Sequence, residues 1–184
     1  MNKILFAPAL LLLAPTAALA QSDTTAPTMA PAPTRAEMAQ PRPARAPGIP
    51  ARLAVEAAAE ANAACLRSSY KTTALVTDSA GVPIVLLAND GAAAITQRVA
   101  MSKIQAVLKY RMTSGQVSDK AATDPALAAE IKANPLIETA RQGAIPIMAG
   151  SEFLGAFAVS GAPDGLKDEV CARAGLAKIQ QRIP

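Results

Sequence analysis

The sequence predicts a mixed α/β domain, more closely α+β, in which helices cover an antiparallel sheet. Two stretches carry that reading. Lys71 to Ala88 and Ile145 to Val159 each read as strand, tight turn, strand. Strands joined this closely pair antiparallel. A third observation is compositional. The chain is 51% hydrophobic but only 3% aromatic, so its core must come from closely packed small side chains.

Arg52 to Arg67, RLAVEAAAEANAACLR, has no Gly or Pro and is dominated by Ala, the strongest helix former. Pro50 suits a helix start. Lys71 to Thr77 alternates as a strand, Asp78-Ser79-Ala80-Gly81 is a turn, and Val82 to Ala88 is the returning strand. Pro83 marks an edge or an entry position, because it cannot donate to a ladder. Asn89-Asp90-Gly91 breaks the chain. The next run places Ile95, Val99, Met101, Ile104, Val107 and Leu108 at helical spacing; it ends at Thr113-Ser114-Gly115. Asp124-Pro125 reads as an N-cap with Pro at the first helical position, opening ALAAEIKA, which Asn134-Pro135 stops. Leu136 to Ala140 is ambiguous. Ile145 to Met148 and Phe153 to Val159 are strands around the turn Ala149-Gly150-Ser151-Glu152. Ser160 to Pro163 makes a corner and Asp164 caps the last helix. The order is α-β-β-α-α-β-β-α.

Ahead of this domain the character changes twice. Residues 1–20, MNKILFAPALLLLAPTAALA, combine Lys3, an apolar run and a small-residue end, the layout of a cleaved secretory signal. The run is broken by Pro8 and Pro15 and is short for a stable membrane insertion. Residues 21–50 are rich in Pro, Ala and Thr without apolar period and read as a disordered spacer. The expected domain is 51–184, periplasmic or secreted after cleavage near Ala20. Cys65 and Cys171 form an even count in an exported protein, which points to a disulfide. Two buried thiols on packed helices are the alternative.

The composition excludes several functions. There is no His, which removes Ser/His and Cys/His catalysis and His-bound zinc or haem. No nucleotide-binding glycine motif is present. The formal charge of +4 is spread along the chain with acids interleaved, and stacking aromatics are scarce, so nucleic-acid binding is not expected. Glu152, Asp164, Asp168 and Glu169 read as helix-dipole or solvated carboxylates. Lys103 lies within an apolar helical run. It is either a lysine whose stem lies on apolar surface with its ammonium in water or a ligand contact. Asn89, Asp90 and Gly91 either line a pocket beside Ser160 and Gly161 or form a turn with a helix cap.

In order along the chain stand Ala63-Ala64-Cys65, Thr77-Asp78-Ser79-Ala80-Gly81-Val82-Pro83, Asn89-Asp90-Gly91-Ala92, Lys103, Gly143 with Ile145-Pro146-Ile147, Gly155-Ala156-Phe157-Ala158-Val159-Ser160-Gly161-Ala162-Pro163, and Asp168-Glu169-Val170-Cys171-Ala172-Arg173-Ala174-Gly175-Leu176. This series resembles the GlcG/HbpS-like haem-binding proteins, which are similar to the C-terminal domain of the PduO adenosyltransferases. The resemblance implies a profilin-like three-layer fold, a five-stranded antiparallel sheet between helices, and homo-oligomers. It implies an exported protein binding haem or another small ligand without catalysis. An adaptor for an envelope or sensor partner, or an enzyme acting on a small organic acid or corrinoid, are the other readings. The ligand-binding candidates are Asn89, Asp90, Gly91, Lys103, Ser160 and Gly161. Iron would need an unusual ligand such as Tyr110, Met101 or Met112. The series departs from the family pattern at Ala144 and Ala158, where glycine is usual.

Overall fold

The computed structural model describes residues 44–137 and 141–184, together with Ala32. The expected signal, most of the Pro-rich spacer and the end of the ambiguous stretch lie outside the described residues. Among these residues, no helix is long and apolar enough to cross a membrane.

Helix α1 spans Ala51–Leu66 and is followed by the hairpin β1, Thr73–Asp78, and β2, Pro83–Ala88. Three helices come next: α2, Ile95–Tyr110; α3, Ser114–Thr123; α4, Pro125–Ala133. The second hairpin is β3, Ala144–Ala149, and β4, Glu152–Ser160, and α5, Gly165–Ile179, closes the domain. The strands form one antiparallel sheet ordered β2-β1-β4-β3. The described residues thus give four strands where the resemblance implied five. Pro83 does stand at the first residue of an edge strand.

The layers follow from strand alternation. Ala74 and Val76 of β1, Phe157 and Val159 of β4, and Ile145 and Ile147 of β3 point to one face. There they meet Leu53, Ala57 and Ala61 of α1 and Ala172 of α5. Leu75, Ala144, Ala156 and Ala158 point to the other face, against Ala100, Ile104 and Val107 of α2. Helices α1 and α5 cross in close contact at Gly175. A Cβ there would collide with the Ala57 carbonyl oxygen and lie 2.7 Å from the Phe157 ring. Small residues thus replace aromatic bulk, as the composition requires. Cys65 of α1 and Cys171 of α5 are joined by a disulfide, with Cα atoms 5.5 Å apart.

Three boundaries differ from the sequence reading. The packed body begins before Ala51: Ile49 is buried, Ser79 N donates to the Pro47 carbonyl at 2.8 Å, and Arg45 Nε donates to Asp78 Oδ2 at 3.1 Å. Helix α2 ends at Arg111, which takes a left-handed φ of 57°. Thr113 then begins a helix the sequence reading missed. Its hydroxyl accepts from Gln116 N at 3.0 Å while Gln116 Oε1 accepts from Thr113 N at 2.9 Å, a capping box. Asp124 and Asp164 cap α4 and α5 as expected.

Candidate functional site

The site is built where α2, the end of β4 and the start of α5 converge. Lys103 of α2 is 2% exposed. Its ammonium donates to the Val159 carbonyl at 2.9 Å and to Asp168 Oδ2 at 2.7 Å. The other Asp168 oxygen, Oδ1, accepts from Ala162 N at 2.8 Å. Both readings of Lys103 as a water-exposed ammonium and of Asp168 as a solvated carboxylate are therefore corrected. The physical reason is the pairing itself: a buried charge is tolerated when a counter-charge and hydrogen bonds meet it.

Burial pushes the Lys103 ammonium below its usual range, with Asp168 pulling it back. Burial raises the Asp168 carboxyl above its usual range, with Lys103 and the Ala162 amide opposing. Gly143, at the entry to β3, makes the pair possible. Its φ is +122°, and a Cβ there would stand 2.6 Å from Lys103 Nζ and 2.8 Å from the Val159 carbonyl oxygen.

A cavity of about 360 Å³ opens beside this pair. Ile95 and Val99 of α2 supply an apolar wall; Lys103, Arg141, Ser160 and Gly161 are among the other lining residues. The start of α5 also lines it, with Asp164, Gly165 and Asp168; the positive end of that helix is already met by the Asp164 cap and by Asp168 in its first turn. Arg141 is exposed.

The structure brings Lys103, Ser160 and Gly161 together at this cavity. Asn89, Asp90 and Gly91 are not among its lining residues. Asn89 instead ends the first hairpin, its amide nitrogen Nδ2 donating to the Asn62 carbonyl at 3.3 Å. Tyr110 and Met112 line a different cavity, of about 260 Å³, against α3 and α4. There the Tyr110 hydroxyl donates to Glu130 Oε1 at 3.1 Å, and burial raises its pKa. Met101 Sδ accepts from Gln105 Nε2 at 3.7 Å. Among the described residues no cluster of three or more acidic, Cys or His side chains could hold a metal. Arg141, Asp168 and Ile95 are among the lining residues that the sequence reading did not propose for the site. Asp168 carried a sequence signal only as an acid in the first turn of a helix. Ala144 and Ala158 are cross-strand partners buried under α2, so those departures belong to the core and not to the cavity wall.

The family model for haem-degrading HbpS-like proteins matches residues 49–177. A crystal structure of HbpS is 26% identical, with a TM-score of 0.65 over 74% of this chain and 93% of that one. A double mutant of HbpS from Streptomyces reticuli is 25% identical, with a TM-score of 0.65 over 83% and 99% of the two chains. A PduOC complex with haem is 14% identical, with a TM-score of 0.64 over 71% and 94%; at that identity the likeness is of fold alone. A search of curated proteins gives no match.

Proposed function

This chain belongs to the HbpS-like family, and we propose that it is an exported, homo-oligomeric binding protein that takes haem or another small acid-bearing ligand without catalysing a reaction. The observation that carries the reading is the cavity of about 360 Å³ beside the Lys103–Asp168 pair, a volume suited to a small ligand. Its apolar wall would hold the ligand's body. Arg141 would hold its acidic group.

Family membership supports haem as the first candidate, since the matching family model is that of haem-degrading HbpS-like proteins. The residues fit a haem carboxylate better than haem iron. Lys103 is committed to Asp168, the chain has no His, and Tyr110 lines a different cavity. Binding would therefore rest on the porphyrin's acidic edge and apolar face. The absence of catalysis is supported by the same pair: the amine and carboxyl at the cavity are each hydrogen-bonded within the fold. The disulfide between Cys65 and Cys171 supports an oxidising compartment.

The test is titration of the chain lacking residues 1–20 with haemin and, in parallel, metal-free protoporphyrin. Both are expected to bind with affinities within a few-fold, because no iron ligand is used. A flat Soret region and no thermal shift with either would overturn the reading.

A further inference from the structure

Asn89, Asp90 and Gly91 do not line the cavity, but Asp90-Gly91 has a chemistry of its own. It is one of two places in the chain where Asp precedes Gly; the other is Asp164-Gly165. Glycine has no side chain to shield its amide or to restrict its backbone. Its amide nitrogen can therefore attack the carboxyl of an aspartate that precedes it.

The fold treats the two places differently. Asp90 and Gly91 are both exposed, in the turn between β2 and α2. Ala92 N closes that turn on the Asn89 carbonyl at 2.9 Å. Among the described residues no cation pairs with the Asp90 carboxylate, and the Gly91 amide has no backbone acceptor. Gly91 takes a φ of +78°, and a Cβ there would meet only the end of the Lys71 side chain, at 3.8 and 3.9 Å. The reacting groups are thus free and uncrowded.

Asp164 has the opposite surroundings. It caps α5, its carboxylate accepting from Lys167 N at 2.9 Å, and it pairs with the Lys167 ammonium at 3.0 Å. The Lys167 amide, and then its ammonium, hold this carboxyl below its usual range, in the charged form that is the poorer electrophile. Gly165 is half-buried, and a Cβ there would lie 2.7 Å from the Gln142 carbonyl oxygen.

We infer that Asp90 is a site of spontaneous aspartate isomerisation in the folded protein, and that the helix cap protects Asp164 from the same reaction. At Asp90 the Gly91 nitrogen bonds to Cγ, and the carboxyl oxygen leaves as water with the amide proton, giving a five-membered imide. Water then opens the ring at the main-chain carbonyl, breaking its bond to the Gly91 nitrogen. The main chain is left running through Cβ, one methylene longer, in the turn that leads into α2. No mass is gained or lost, and no oxidant or partner is needed.

The test is incubation of the folded chain lacking residues 1–20 at neutral pH for several weeks, beside the same chain in denaturant. Proteolytic mapping with electron-transfer fragmentation then locates isoaspartate. In the folded chain the level at Asp90 is expected to exceed that at Asp164 by about tenfold, because the cap must be released before Asp164 can react. In denaturant the two sites should react within a few-fold of each other. Equal levels in the folded chain, or none at Asp90, overturn the inference. So does a difference that persists unchanged in denaturant, since it would belong to the local sequence and not to the fold.

Discussion

The Lys103 ammonium and the Asp168 carboxylate meet at 2.7 Å, and they come from opposite faces of the sheet. Lys103 belongs to α2, which packs against Ala144, Ala156 and Ala158. Asp168 belongs to α5, which packs with α1 over Phe157 and Val159. One ion pair thus ties the two helical layers together where the cavity opens.

Removing either partner strands a buried charge, at a cost of about 3–5 kcal/mol. The two single variants should differ in their pH dependence. In K103M, Asp168 keeps its burial and loses its main opposing charge, so its folded pKa rises further above the unfolded value of about 3.9. A raised folded pKa contributes stability below the unfolded pKa that is lost as pH rises through the folded one. K103M should therefore be least damaged near pH 4. In D168N, Lys103 keeps its burial and the nearby Arg141 charge, so its folded pKa falls further below about 10.4. That penalty is relieved as pH rises, and D168N should be least damaged near pH 10. Urea unfolding across pH checks both slopes, and parallel slopes would refute the pairing.

Gly143→Ala places a methyl group 2.6 Å from Lys103 Nζ at a φ of +122°. The backbone conformation alone costs about 1–3 kcal/mol for a residue with a side chain, and the clash adds to it. A lowered Tm is expected. The variant should also weaken the ion pair, so that K103M costs less in the G143A background than in the wild type. Equal costs in both backgrounds would show that Gly143 does not serve the pair.

Much of this arrangement was legible in the chain. Both hairpins and the caps at Asp124 and Asp164 follow from local patterns, and the family resemblance groups Lys103 with Ser160 and Gly161. The burial of Lys103 was not legible. Its counter-charge is 65 residues away, and local spacing favours a lysine reaching water. Helix α3 was missed because SGQVSDKAAT has weak helix formers at its start; its signal was the Thr113-to-Gln116 spacing. The same resemblance placed Asn89, Asp90 and Gly91 in the candidate set, but they do not line the cavity, and Asn89 spends its side chain on Asn62.

Arg141 lines the cavity without taking part in the core. R141A should leave Tm within about 2 °C, since an exposed side chain away from packing changes stability by only about ±0.5 kcal/mol. It should weaken haemin and protoporphyrin alike by about tenfold, near 1.4 kcal/mol, because the lost contact is to the acidic edge. A loss for haemin with none for protoporphyrin would overturn the contact to the acidic edge. Calorimetric titration of both ligands separates the outcomes.

The disulfide between Cys65 and Cys171 closes a loop with a sequence separation of 106. In the chain-entropy view a loop of that size contributes about 4–5 kcal/mol, chiefly by restricting the unfolded chain. The first and last helices are also held by packing, with Gly175 seated on Ala57 and Phe157. Reduction should therefore lower stability sharply while leaving the fold in place at room temperature. The C65A/C171A variant should show native far-ultraviolet circular dichroism, a much lower Tm and a reduced urea midpoint. Adding dithiothreitol should lower the wild-type Tm toward that of the variant and leave the variant unchanged. A wild type insensitive to reductant under partly denaturing conditions would show that the bridge does not carry this stability.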